Sequence, residues 1–103
     1  MKITLIQTTC ASRTEAKNIA KILIDLKLAA CIQLSEIESF YTWNDEFCSD
    51  NEILLNIKTK KENFEKIKNK IKEHHSYDVP ETIEIDITNS SKKYLKFIEE
   101  NTN

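Results

Sequence analysis

Residues 29–58 read AACIQLSEIESFYTWNDEFCSDNEILLNIK, two extended segments with a polar stretch between them. Ile32 and Leu34 alternate first. Ile37, Ser39, Tyr41 and Trp43 then take one face, with Glu36, Glu38, Phe40 and Thr42 on the other. A period of two marks a strand whose faces meet different surroundings. The change of face between Leu34 and Ile37 predicts a bulge near Ser35. Asn44–Asn51 (NDEFCSDN) is turn-like and predicts the tip of a long hairpin. Glu52–Lys58 (EILLNIK) returns from it as a further strand.

Toward the N-terminus, Lys2–Thr9 (KITLIQTT) reads as a strand. Ser12-Arg13-Thr14-Glu15 matches a capping box, in which Ser12 serves the Glu15 amide and Glu15 reaches back. Ala16, Ile19, Ala20, Leu23 and Leu26 then form one helical stripe, ending near Leu28. Toward the C-terminus, Thr59-Lys60-Lys61-Glu62 predicts a second capping box. Phe64, Ile67 and Ile71 mark a helix to about His74. Pro80 disfavours helix at Val79 and fixes a loop over 76–81. Thr82–Thr88 (TIEIDIT) alternates strictly, which places Ile83, Ile85 and Ile87 toward the core and Glu84 and Asp86 outward. Asn89 or Ser90 is expected to cap a last short helix carrying Tyr94, Leu95 and Ile98.

The order is therefore βαββαβ plus a short C-terminal helix, in one domain over residues 1–103. Two crossovers interleave such strands into an antiparallel sheet with both main helices on one face. The predicted class is α+β, ferredoxin-like. That fold hosts many functions, so residues must choose among them.

Glycine is absent, which removes phosphate loops and dinucleotide fingerprints and leaves positive-φ turns to Asn or Asp. A net charge of -2 argues against a nucleic-acid surface. No apolar run is long enough to cross a bilayer, and the N-terminus lacks a signal-peptide pattern, so no membrane association and a cytoplasmic location are expected. Cys10, Cys31 and Cys48 are an odd count without a CxxC pair, against both a disulfide framework and an iron–sulfur site. The strand EILLNIK lacks the aromatics of an RNA-recognition sheet. Arg13, the only arginine, has no glycine-shaped anion loop beside it.

Four separated motifs remain: Leu28-Ala29-Ala30-Cys31, Ser39-Phe40-Tyr41-Thr42-Trp43, Glu52 with Ile57-Lys58-Thr59, and His74-His75-Ser76-Tyr77-Asp78-Val79-Pro80-Glu81. In this order and spacing the chain resembles the CutA divalent-cation tolerance family, from Ile6 to about Ile98. The resemblance implies a homotrimer akin to the PII signalling proteins, and a role in tolerance of divalent metal ions, copper especially. It also implies a cleft between protomers lined by Tyr41, Trp43, Lys58, His75, Tyr77 and Glu81.

Each of these residues has a plainer reading. Tyr41 and Trp43 suit core or subunit-interface packing, because large amphipathic rings are enriched there. Glu52 and Lys58 suit a simple cross-strand or intersubunit ion pair. Pro80 and Glu81 read first as loop structure. His74 and His75 match a His pair of copper-binding members, and a protonated His equally suits a helix C-terminus. Adjacent helical residues point roughly 100° apart, so both bind one ion only if the helix has ended. The family's cysteine ligand falls at Thr8, with Cys10 two residues on. The expected metal candidates are thus His74, His75 and Cys10, for copper or another divalent ion held weakly near the end of the second helix. The alternative is a PII-like sensor whose cleft takes a small anionic or nucleotide ligand through Lys58, His75 and Tyr77. No base-plus-orienter group is visible, so the chain is not expected to be an enzyme.

Overall fold

The Ser12 hydroxyl accepts the Glu15 amide at 3.2 Å and starts the first helix. In the computed structural model, which describes residues 1–103, the elements are β1 (Ile3–Cys10), α1 (Arg13–Asp25), β2 (Cys31–Trp43), β3 (Glu46–Lys60), α2 (Phe64–His74), β4 (Ile83–Ile87) and α3 (Lys92–Glu100). The predicted βαββαβ order and terminal helix stand. The four strands form one antiparallel sheet in the order β2-β3-β1-β4. The apolar stripes of α1 (Ala16, Ile19, Leu23) and α2 (Ile67, Ile71) pack on Ile6, Cys10, Ile53, Leu55 and Ile57 of the sheet.

Half of the first capping box is used elsewhere. The Glu15 carboxylate accepts from the amide and hydroxyl of Ser76 instead of reaching back, tying the start of α1 to the loop after α2. The second box does not form. The Thr59 hydroxyl donates to the Leu28 carbonyl at 2.5 Å, and the Asn63 side-chain amide donates to both Leu28 and Thr59. A turn of 3-10 helix, Lys61–Asn63, opens α2 without a side-chain cap. Ser91, one residue beyond the expected pair, caps α3 by accepting the Tyr94 amide.

The hairpin departs from expectation in two ways. Its tip is the two-residue turn Asn44-Asp45, with φ of 51° and 63°, and Glu46–Asn51 belongs to β3. Two positive φ values suit the type I′ turn that matches strand twist. No bulge interrupts β2, whose register runs unbroken from Cys31↔Lys58 to Trp43↔Glu46. β1 pairs with β3 only over Ile53–Lys60. From Ile37 and Glu52 outward the hairpin is therefore a free two-stranded arm. The radius of gyration is 14.2 Å, above the ~13 Å of a compact chain this long.

β4 is turned over relative to prediction. Ile83, Ile85 and Ile87 oppose Gln7, Leu5 and Ile3, so they share the helix-free face, where Ile83 and Ile85 are exposed. Glu84 and Asp86 lie on the helix side, where Lys61 pairs with both and the Thr4 hydroxyl donates to Glu84 at 3.1 Å. Alternation revealed two unlike faces but not which one met the helices.

α1 ends in a left-handed turn made without glycine. Lys27 has φ 56°, its amide donates to Ile24 at 3.0 Å, and the Leu28 amide reaches back to Leu23 at 3.0 Å. This is the Schellman geometry, in which glycine is the favoured residue. Replacing Lys27 by Gly is expected to raise stability by ~1 kcal/mol, because a Cβ in this region is strained by roughly that amount. Urea unfolding of the variant checks it; a lower midpoint would refute this reading of the turn.

Candidate functional site

Where the arm leaves the sheet, the loop following α2 folds back and closes a cavity of about 560 Å³. β2 supplies Ser39, Phe40, Tyr41 and Trp43; β3 supplies Glu52; β1 supplies Thr9; the loop supplies Tyr77, Asp78, Val79 and Glu81. Strand alternation explains Ser39, Tyr41 and Trp43, since residues two apart project from one face. Four of the six residues assigned to a cleft from sequence, Tyr41, Trp43, Tyr77 and Glu81, thus line one cavity within a single chain.

The phenols are anchored. The Tyr77 hydroxyl donates to Glu52 at 2.7 Å, and Glu52 is only 8% exposed. The Tyr41 hydroxyl donates to Asp50, and that bond is the main reason its phenol is pushed up to about 12. Burial, with Glu52 nearby, raises the Glu81 carboxyl above its ordinary range. Sequence reading missed Thr9, Ser39, Phe40, Glu52, Asp78 and Val79 as lining residues. The expected Glu52–Lys58 pair does not form within the chain. The two lie six positions apart on one strand, a span of about 20 Å. Lys58 instead sits 5.4 Å over the Tyr94 ring of α3 and does not line the cavity.

His75 stands behind the cavity wall. It is the first residue past α2, with φ -95° and ψ 141°, so the helix has ended and its ring turns inward. Its side chain is wholly buried. Nδ1 accepts the Tyr77 amide at 3.0 Å, which makes Nε2 the protonated nitrogen, and Nε2 donates to the Thr9 carbonyl at 2.7 Å. The ring thus staples the loop to the end of β1. Its centroid lies 4.8 Å from that of Tyr77.

The metal candidates come together only in part. Cys10 Sγ lies 3.8 Å from His75 Nε2. Burial, then Glu15 and Glu52, pushes the Cys10 thiol up to about 12, whereas metal ligation needs the thiolate. Both His75 nitrogens are occupied. His74, still on α2, faces solvent beside Glu73 at 3.5 Å. The Thr8 hydroxyl is buried without a hydrogen-bond partner, but a hydroxyl is not the soft donor that reduced copper prefers. No three His, Cys, Asp or Glu side chains converge as an ion would need. This set, as folded, does not fit a copper ion.

Comparison with known proteins agrees with the fold and the motifs. The model of the CutA1 divalent ion tolerance protein family matches residues 4–101. The divalent-cation tolerance protein CutA of Thermus thermophilus is 38% identical over 95 residues, which is 91% of this chain and 92% of that protein. Among solved structures, CutA1 from Oryza sativa superposes with a TM-score of 0.97 at 33% identity, covering 100% of this chain and 95% of its own. The periplasmic divalent cation tolerance protein CutA from Archaeoglobus fulgidus gives 0.96 at 34% identity, covering 98% and 99%.

Two outcomes follow from the His75 staple and the buried thiol. His75→Ala empties a buried ring site and leaves a half-buried carbonyl and amide unpaired, so it is expected to cost about 2–4 kcal/mol, whereas His74→Ala should stay within about 0.5 kcal/mol. Denaturant unfolding of both variants compares them, and equal costs would remove the staple. Cys10 should resist a thiol-disulfide reagent at pH 8 in the folded protein and react once unfolded, as mass-mapped labelling would report.

Proposed function

The chain belongs to the CutA1 family of divalent ion tolerance proteins, and on that footing we propose that it serves divalent-cation tolerance as a homotrimer. One observation carries the assembly: the single chain leaves large apolar groups of the arm and of β4 uncovered. Only 21 of 103 residues are buried. Ile83, Ile85, Tyr41 and Trp43 stand exposed on the helix-free face, and Phe40 and Phe47 stack on the other side of the arm at 6.2 Å. An isolated two-stranded ribbon is marginal in water. Pairing the arms edge to edge across three copies satisfies their strand edges and covers that face.

In this reading copper is an ion whose excess the cell withstands, not a cofactor held by Cys10, His74 and His75. The work is not catalytic. The relatives are named for tolerance, and the one Cys–His contact lacks a free imidazole lone pair to take a proton. We assign the cytoplasm, since the three free cysteines suit a reducing compartment.

A second reading is supported by the cavity itself, whose volume falls in the range of small-molecule sites. A PII-like sensor would use it to register a ligand.

Light scattering is expected to give three times the subunit mass at micromolar concentration, and Ile85→Glu to lower it toward one subunit. Expression in cells lacking their own copy should restore growth in raised copper, and the Ile85→Glu variant should not. A stable wild-type monomer would defeat the assembly.

A further inference from the structure

Resting on the assembly reading, we infer that Gln7 and Asn56 form a hydrogen-bonding site that only another copy of this chain completes, so that the pair selects self-association over related chains. Both stand on the sheet face away from α1 and α2, in one row across all four strands. Gln33 opposes Asn56, Asn56 opposes Gln7, and Gln7 opposes Ile83. Leu5 and Leu54, each two positions along its strand, put apolar groups on either side of the row. Gln7 and Asn56 are half-buried in the single chain. α3 meets this face further along, where Lys58 lies over Tyr94 and Lys60 donates to the Thr102 carbonyl. The row thus lies between α3 and the root of the arm, on ground that the assembled copies cover.

The pair is incomplete in one chain and balanced between copies. Gln7 Nε2 donates to Asn56 Oδ1 at 2.8 Å. That leaves the Asn56 amide nitrogen as a spare donor and the Gln7 carbonyl oxygen as a spare acceptor. Turning both amides end for end exchanges the roles and keeps the inventory. A site with a donor at one end and an acceptor at the other suits head-to-tail contact, each copy's donor meeting the next copy's acceptor until a ring closes. An apolar surface laid here would dry both groups without a partner, at a cost of about ten-fold or more in association. The row therefore favours a second copy in register. It disfavours a shifted register, or a related chain that is apolar at these positions. A single polar position in an apolar seam fixes partner and subunit number in the same way, at some loss of stability.

Gln7→Leu strands the Asn56 amide, and is expected to raise the concentration at which trimers dissociate about ten-fold or more, read by light scattering on dilution. Gln7→Leu/Asn56→Leu removes both groups and is expected to associate at least as tightly as wild type. Wild type co-expressed with a double variant carrying an added mass tag should sort into separate trimers. Native mass spectrometry is expected to find mixed trimers at under about a tenth of the random yield. Circular dichroism checks that the double variant folds. If it does not, the wild type itself decides. One chain offers an acceptor to only one of the two amide groups. Side-chain amide protons of both Gln7 and Asn56 are expected to exchange at least about ten-fold slower in the assembled protein than after unfolding, as NMR reads. Random mixing, an unprotected amide group, or a double variant that associates more weakly than the single one, with wild type still trimeric, overturns the pair's role and leaves the assembly standing. A wild-type monomer overturns both.

Discussion

Beyond Ile53 the sheet has two strands and no third. That missing neighbour governs the rest of the molecule. β1 stops at Cys10, so the outer halves of β2 and β3 have only each other, and their far edges keep unpaired backbone groups. The arm holds its course through the Asn44-Asp45 turn and through cross-strand contacts such as Tyr41 with Asp50. Neither supplies a core. The exposed rings on the arm and the exposed isoleucines of β4 are one problem seen at two places, and the proposed association of copies would cover both.

At the arm's root, the loop after α2 turns this geometry into a cavity. Glu15 of α1 holds Ser76, His75 bridges Thr9 and Tyr77, and Tyr77 reaches Glu52. The chain of contacts runs from the helix layer, around the end of β1, to the helix-free face. The cavity therefore depends on three elements staying in register, and its aromatic and acidic walls come from segments distant in sequence. Its single Cys–His contact serves this bracing. The sulfur stays protonated because the site is dry and acidic neighbours surround it.

Local signals were legible in the sequence because they need only local physics. The Ser12 cap, the stripes of α1 and α2 and the element order follow from spacing alone. Facing is a different quantity. The isoleucines of TIEIDIT were expected inward, yet Thr4 and Lys61 draw Glu84 and Asp86 to the helix side. The apparent face change in β2 is likewise a change of surroundings: Ile32 and Leu34 meet the helix core, whereas Ile37, Tyr41 and Trp43 meet the other side of an unbroken strand. Glu46–Asn51 looked like a loop because a strand outside the core needs no apolar face. Tyr41, Trp43, Tyr77 and Glu81 were found through the family resemblance. The acidity of their cavity was not, since nothing in the sequence says that Glu52 and Asp78 close around them.

The sheet order also sets a timetable for synthesis. β1 is a central strand, and one of its partners is β4, about eighty positions later. A ribosome must release most of the chain before that edge closes, whereas β2 and β3 fold on each other across a two-residue turn. Distant pairings form late because loop entropy must be overcome first. The nascent chain thus presents its apolar ribbon well before its own last strand arrives.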